Sequence, residues 1–115
     1  MRDKDNNVEG HQINECNSRI VITPIPDGSY TVSGMVDGTV TRLRFHSGPT
    51  KDGTRGLTNE VLFAVLIDRF EEFQKTAFAC DENAQAIALL QQALAVVKSR
   101  TDKRFARGVE GTQTV

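Results

Sequence analysis

Apolar and polar residues change rhythm twice along this chain, and each change marks an element. Residues 1–17 are polar, with Val8 and Ile13 as isolated aliphatics, and this composition predicts a mobile arm. From Ser18 the texture becomes β-branched. Arg19-Ile20-Val21-Ile22-Thr23-Pro24-Ile25 reads as a strand whose end, at Pro24, lies on a sheet edge. Pro26-Asp27-Gly28 is a turn, because proline presets φ and glycine admits the left-handed region. Residues 29–36 then alternate around Tyr30 and Val32, Asp37-Gly38 signals a hairpin, and residues 39–45 alternate around Val40, Leu43 and Phe45. The economical reading of 18–46 is a three-stranded antiparallel meander.

After a loop of about eleven residues from His46 to Gly56, near the upper limit for an ordinary connection, the period becomes helical. Thr58 is the expected N-cap, and a first helix runs from about Asn59 to Lys75. Leu62, Leu66, Phe70 and Phe73 form one stripe and Phe63, Ile67 and Phe70 a second, so this helix touches more than one neighbour. A link at 76–81 leads to a second helix from about Glu82 to Arg107, roughly 39 Å long at 1.5 Å per residue. Its stripe of Ile87, Leu90, Leu94 and Val97 fits an antiparallel pairing with the first helix. The adjacent stripe of Ala86, Leu89, Ala93 and Val96 needs either the sheet or another protomer. The fold class expected is α+β: a small N-terminal β-meander followed by a long antiparallel helical hairpin (58–107), self-associated as a dimer at least.

Composition narrows the function. Hydrophobic residues make up 38% of the 115 and there is no tryptophan, so one modest core, completed by oligomerisation, is the expectation. A formal net charge of −1 argues against a nucleic-acid polymer or an anionic membrane as partner. The longest apolar run, Val61 to Ile67, is seven residues, against the roughly 20 that span a bilayer. Cys16 and Cys80 form no close pair, and no signal-like segment follows Met1, which points to a reducing cytoplasm.

Charge is nevertheless segregated. Lys98, Arg100, Lys103, Arg104 and Arg107 crowd ten residues at the end of the second helix, with Asp102 as the lone acid among them. Arg100, Arg104 and Arg107 share a face at i, i+4 and i+7. Such a row either binds phosphates through forked, charge-assisted hydrogen bonds or simply complements the helix dipole. Arg42 and Arg44 on the last strand, with Lys51 and Arg55 in the loop, either approach the same anion or are ordinary solvated charge. Phe73 and Asn83 flank the hairpin bend. Together they suit a purine, by stacking and by amide hydrogen bonds, or else they pack and cap the bend. Arg69 is expected to meet Glu72 at i+3. Cys80 is expected to be a buried structural thiol. No metal-ligand spacing, phosphate loop or nucleophile–base pair is present in the pattern, and the chain reads as a binder that uses no cofactor.

Several segments together resemble a known family. Ile22-Thr23-Pro24-Ile25-Pro26, the Phe-x-x-Gly-Pro of 45–49, Ile67-Asp68-Arg69 with Phe73-Gln74, Cys80-x-Glu82-Asn83, and Arg100-Thr101 to Arg104 leading into Ala106-Arg107-Gly108-Val109-Glu110-Gly111-Thr112 are similar to the phage-encoded Thoeris anti-defence sponge proteins of the first type. The likeness spans about Ile20 to Thr112, a single sponge domain over 18–112 with 113–115 as a tail.

The resemblance implies a non-enzymatic protein, acting in the cytoplasm of the infected bacterial host, that sequesters cyclic ADP-ribose isomers such as glycocyclic ADP-ribose and so silences Thoeris immunity. It also implies that some relatives form hexamers that hold cyclic trinucleotides of CBASS immunity at separate sites. Carried across, Phe73 would stack adenine, Asn83 would be its polar partner, and Arg100 and Arg104 would hold phosphate, with Arg107 beside them. Arg44 or Arg55 would supply the sheet-side or loop cation, and the tail from Val109 to Thr112 would close the pocket. Competing classes are an enzyme that degrades the same messenger and a small nucleic-acid-binding oligomer.

Overall fold

The computed structural model describes residues 1–10, 19–47 and 56–106, with the side chains of 105 and 106 excepted. It divides into two compact units, residues 1–47 and 48–115.

The first unit is the meander. Strands β1 (Val21–Pro24), β2 (Tyr30–Ser33) and β3 (Thr41–Leu43) lie in the order β1-β2-β3, each pair antiparallel. Ile22 faces Val32, which faces Thr41, and Pro24 faces Tyr30, which faces Leu43. Directly paired residues share a sheet face, so Ile22, Tyr30, Val32 and Leu43 gather on one side. There the rings of Tyr30 and Phe45 meet edge to face at 5.6 Å. The strands are shorter than the alternation predicts because each is cut off by its turn. Gly28 donates to Ile25 O (2.9 Å) and Gly38 to Met35 O (3.0 Å), with φ of 90° and 77° at the two glycines.

Asp27 and Asp37 brace those turns. The Asp27 carboxylate accepts from the Ser29 hydroxyl and amide and pairs with Arg42 at 2.6 Å, while Asp37 accepts from Thr39 N at 2.9 Å. Residues 1–10, expected from composition to be a mobile arm, carry a small turn of their own. Arg2 and Val8 bridge, the Asp3 carboxylate accepts from the amides of Asp5 and Asn7, and Val8 N donates to Ile22 O at 2.8 Å. The Thr23 hydroxyl donates to Asn7 Oδ1 at 3.1 Å and Arg19 pairs with Asp3 at 3.7 Å, so backbone and side chains together anchor this end to the outer edge of β1, which hydropathy alone does not reveal.

The second unit is the hairpin of α1 (Asn59–Phe73) and α2 (Asp81–Ala106). The Thr58 hydroxyl caps α1 by accepting from Val61 N at 3.2 Å. At the open end the Thr101 hydroxyl of α2 donates to Glu60 of α1 at 3.2 Å, which fixes the antiparallel sense. Ile67 is the one buried hydrophobic side chain among the described residues. Around it Phe63, Phe70, Ile87, Leu90, Leu94 and Val97 are half-buried. The other stripe of each helix is open: Val65 is 48% exposed, Leu66 42%, Leu89 64% and Val96 69%. Neither helix of the pair is long and apolar enough to cross a membrane.

Two predictions concern the sheet unit, where Tyr30, the chain's single tyrosine, reports without interference from tryptophan. Gly34 has φ of 89°, and a Cβ there would stand 1.9 Å from the Arg19 carbonyl oxygen. Gly34→Ala should therefore cost about 1–3 kcal/mol of stability followed by tyrosine fluorescence, whereas Gly28→Ala, which meets no neighbour, should cost less. The second concerns acid. Hydrogen bonds from Ser29, then the Arg42 charge, hold the Asp27 carboxyl below the usual carboxylate range, and the Thr39 amide does the same for Asp37. A group whose folded pKa is depressed stabilises the fold above its unfolded pKa and loses that contribution as pH falls through the folded value. The melting temperature of this unit should drop below about pH 4, and Ser29→Ala should flatten that drop.

Candidate functional site at the hairpin bend

Phe73 is the last residue of α1: Gln74 takes the C-cap, still right-handed at φ −66° and ψ −13°, and its backbone N–H donates to Phe70 O at 3.1 Å. The seven residues between the helices are held by side chains rather than by packing. The Thr76 hydroxyl donates to Phe73 O (2.6 Å) and accepts from Phe78 N (3.1 Å). The Gln74 amide bonds both backbone groups of Cys80, and the Asn83 amide nitrogen donates to Phe78 O at 3.2 Å. Gln74, Thr76 and Asn83 thus each bond a backbone group of the bend.

Phe73 and Asn83 accordingly share one end of the hairpin. Phe73 keeps 41% of its surface exposed, and Phe78, in the link, keeps 76%. A primary amide has two N–H donors and an acceptor oxygen, and one N–H of Asn83 goes to Phe78 O, so Asn83 caps the link rather than the helix. One finding escaped the periodicity. The Arg69 guanidinium carbon lies 5.6 Å from the Phe73 ring centroid, a cation–π contact one turn back along α1. Glu72 pairs instead with Lys75 at 3.1 Å, so the expected Arg69–Glu72 pair is replaced. The i, i+4 spacing of Arg69 and Phe73 was the available signal. Cys80 is exposed, not buried, because the Gln74 amide holds the backbone at the rim of the bend, where no apolar side chain covers the thiol.

The cations lie elsewhere. Arg100 is exposed and Arg104 half-buried in the last turns of α2, and Asn83 precedes Arg100 by seventeen positions, about 25 Å along an unbroken helix. The structure therefore brings Phe73 to Asn83 and Arg100 to Arg104, but it does not bring the two pairs together within one chain. The groove at the open end, lined by Glu60, Val61, Leu94, Lys98 and Asp102, holds two carboxylates to one cation and is no anion pocket. On the sheet unit Arg42 is committed to Asp27, and Arg44 is exposed just after β3. Arg55, Arg107, Val109 and Thr112 lie outside the described residues. Among the described residues no group of three His, Cys, Asp or Glu could hold a metal ion.

A short antiparallel sheet followed by two long helices, joined by a bend whose polar side chains bond the backbone, defines a helical-hairpin domain. A family model described as the Acb2/Tad1 hairpin domain matches residues 35–101, more than half of the chain, and the chain belongs to that family. The matched span contains Phe73, Asn83 and Arg100. A protein of Bacillus phage SBSphiJ7 named Thoeris anti-defense 1 is 45% identical over 76 residues, which make up 65% of this chain and 54% of the relative. The chain thus spans about half the length of that curated relative.

Proposed function

We propose that this protein is a phage anti-defence factor that captures a cyclic ADP-ribose messenger, glycocyclic ADP-ribose in particular, and holds it uncleaved in the cytoplasm of the infected host, so that Thoeris immunity is not triggered. Membership of the Acb2/Tad1 hairpin family and the name of the phage relative support the anti-defence role. The observation that carries the ligand class is the bend itself, an open aromatic face beside an amide with free hydrogen-bonding capacity, in a chain whose other polar extreme is an arginine cluster.

The distance between those extremes shapes the proposal. A cyclic dinucleotide-like ligand is far smaller than 25 Å, so one chain cannot reach it with both Phe73 and Arg100. Two chains packed antiparallel can, because the bend of one then meets the arginine end of the other. The open stripe of Val61, Val65, Leu66, Leu89 and Val96 supports such pairing: each side chain covered stabilises the assembly by up to about 1.5–3 kcal/mol. The pairing makes two equivalent pockets, each with Phe73 and Asn83 from one protomer and Arg100 and Arg104 from its partner. Arg107 and the tail from Val109 to Thr112 close the pocket, and Arg44 or Arg55 adds the last cation.

Tight binding needs no chemistry. Stacking at about 1–3 kcal/mol and charge-assisted hydrogen bonds at about 1.5–3 kcal/mol each approach the roughly 12 kcal/mol of nanomolar affinity when the pocket is already formed. In the test, the protein is incubated with glycocyclic ADP-ribose and removed by filtration, and the filtrate is assayed. The retained protein is then heated and the released material weighed by mass spectrometry. Depletion followed by release of unaltered ligand is expected. A product of different mass would instead mean a messenger-degrading enzyme, and no depletion would remove this messenger as the ligand. Phe73→Ala and Arg100→Ala should each weaken binding about ten- to a hundredfold with no change in oligomeric state by light scattering.

A further inference from the structure

At the bend, the Gln74 side chain ties the residue that follows α1 to the residue that precedes α2. Its Nε2 donates to Cys80 O and its Oε1 accepts from Cys80 N–H, both at 3.0 Å. A primary amide offers a donor and an acceptor in one plane, spaced like the two groups of a peptide, so this pair behaves as a one-residue piece of sheet ladder closed by a side chain. Both anchors sit at helix ends. The Gln74 backbone N–H closes α1 on Phe70 O, and Cys80 O also accepts from Ala84 N–H at 3.3 Å, the first bond of α2. Phe73 is bonded directly to one anchor, and Asn83 follows the other within a turn. The stripe that packs α1 on α2 tapers off toward the bend, where Phe73, Phe78 and Cys80 are all exposed, so hydrogen bonds carry more of their spacing.

We propose that Gln74 is a positioning residue of the ligand site, whose two hydrogen bonds to the Cys80 backbone hold the Phe73 ring and the Asn83 amide at the separation that an adenine requires. The proposal rests on the function proposed above. It assigns Gln74 no contact with ligand. The bend is ordered before the messenger arrives, so binding does not have to order it. Asparagine is one methylene too short to span the link. Leucine offers no polar atom, and an ionised glutamate keeps the acceptor for Cys80 N–H but sets a negative charge against Cys80 O.

Gln74→Glu provides a readout that a merely structural role would not give. A protonated glutamic acid has one donor and one acceptor and restores the amide's pattern, and a carboxyl beside a carbonyl oxygen protonates at or above its ordinary pKa of about 4.3. In the full-length protein, with glycocyclic ADP-ribose as the probe, Gln74→Glu should bind about tenfold more weakly than wild type at pH 7 and return to within about threefold of it at pH 4. Gln74→Leu should be weakened equally at both values. Amide hydrogen exchange at Cys80, followed without ligand, should quicken in Gln74→Leu. Wild-type affinity in Gln74→Glu at pH 7, or a loss that does not recover at low pH, overturns the positioning role. Should wild type itself fail to bind, the function proposed above fails. Exchange at Cys80 then decides the hydrogen-bonded staple by itself, and equal rates in wild type and Gln74→Leu overturn it.

Discussion

The structure depends on the packing of α1 on α2 along the stripe that Ile67 centres, and on the fact that this stripe uses only one side of each helix. Phe63, Ile67 and Phe70 meet a face of α2 that carries Ile87, Leu90, Leu94 and Val97, yet of these only Ile67 is buried, at 9% exposure. A two-helix layer has no second layer to cover it. Val65, Leu66, Leu89 and Val96 therefore stay in solvent at exposures that a finished core would not leave. The same constraint leaves the hairpin extended along its length and incomplete across its width. Both properties bear on function, since a rod holds its two ends apart and an open apolar flank invites a second rod.

Those ends differ in chemistry because they differ in what shapes them. At the bend, apolar packing has run out and hydrogen bonds from Gln74, Thr76 and Asn83 to backbone groups replace it. Phe73 is left with an open face and a cation over its ring, a surface that favours another flat, electron-rich group. At the other end α2 runs past Thr101, tied to Glu60, into a turn that carries Lys103 and Arg104. Cations in a last turn suit the helix dipole with or without a ligand. What distinguishes this cluster is Arg100, which shares the exposed side of α2 with Leu89 and Val96 and so lies on the flank where a second chain would pack.

Much of this was legible in the chain. The helical hairpin announced itself through two strong 3-4 stripes and a Thr58 cap, and the observed bounds fall within two residues of the periodicity at each end. The strands were legible in kind but not in length, because the turns at Gly28 and Gly38 consume residues whose β-branched character looks like strand. The anchoring of residues 1–10 rests on a backbone bond from Val8 and on the Asn7–Thr23 and Asp3–Arg19 contacts, long-range pairings that no local pattern announces. The bend hides from pattern reading for a related reason: Gln74 looks like any polar residue at a helix end, and only three-dimensional closure reveals its pairing with Cys80. Arg69 was visible at i, i+4 from Phe73, but so was Glu72 at i+3, and spacing alone does not rank an ion pair against a ring. Cys80 was misjudged because cysteine is buried on average, whereas here the link has no core to enter.

In the function proposed above, one pocket needs two chains, the bend of one and the arginine end of the other. Subunit mixing tests this. Phe73→Ala and Arg100→Ala proteins, each defective alone, are unfolded together, refolded as a mixture and titrated with glycocyclic ADP-ribose. In a mixed dimer one pocket receives both substitutions and the other receives neither, and random pairing makes about half of all dimers mixed. About one quarter of the pockets should then bind with wild-type affinity. A mixture in which no tight site reappears would contradict the two-chain pocket, because a pocket built within a single chain cannot be repaired by another.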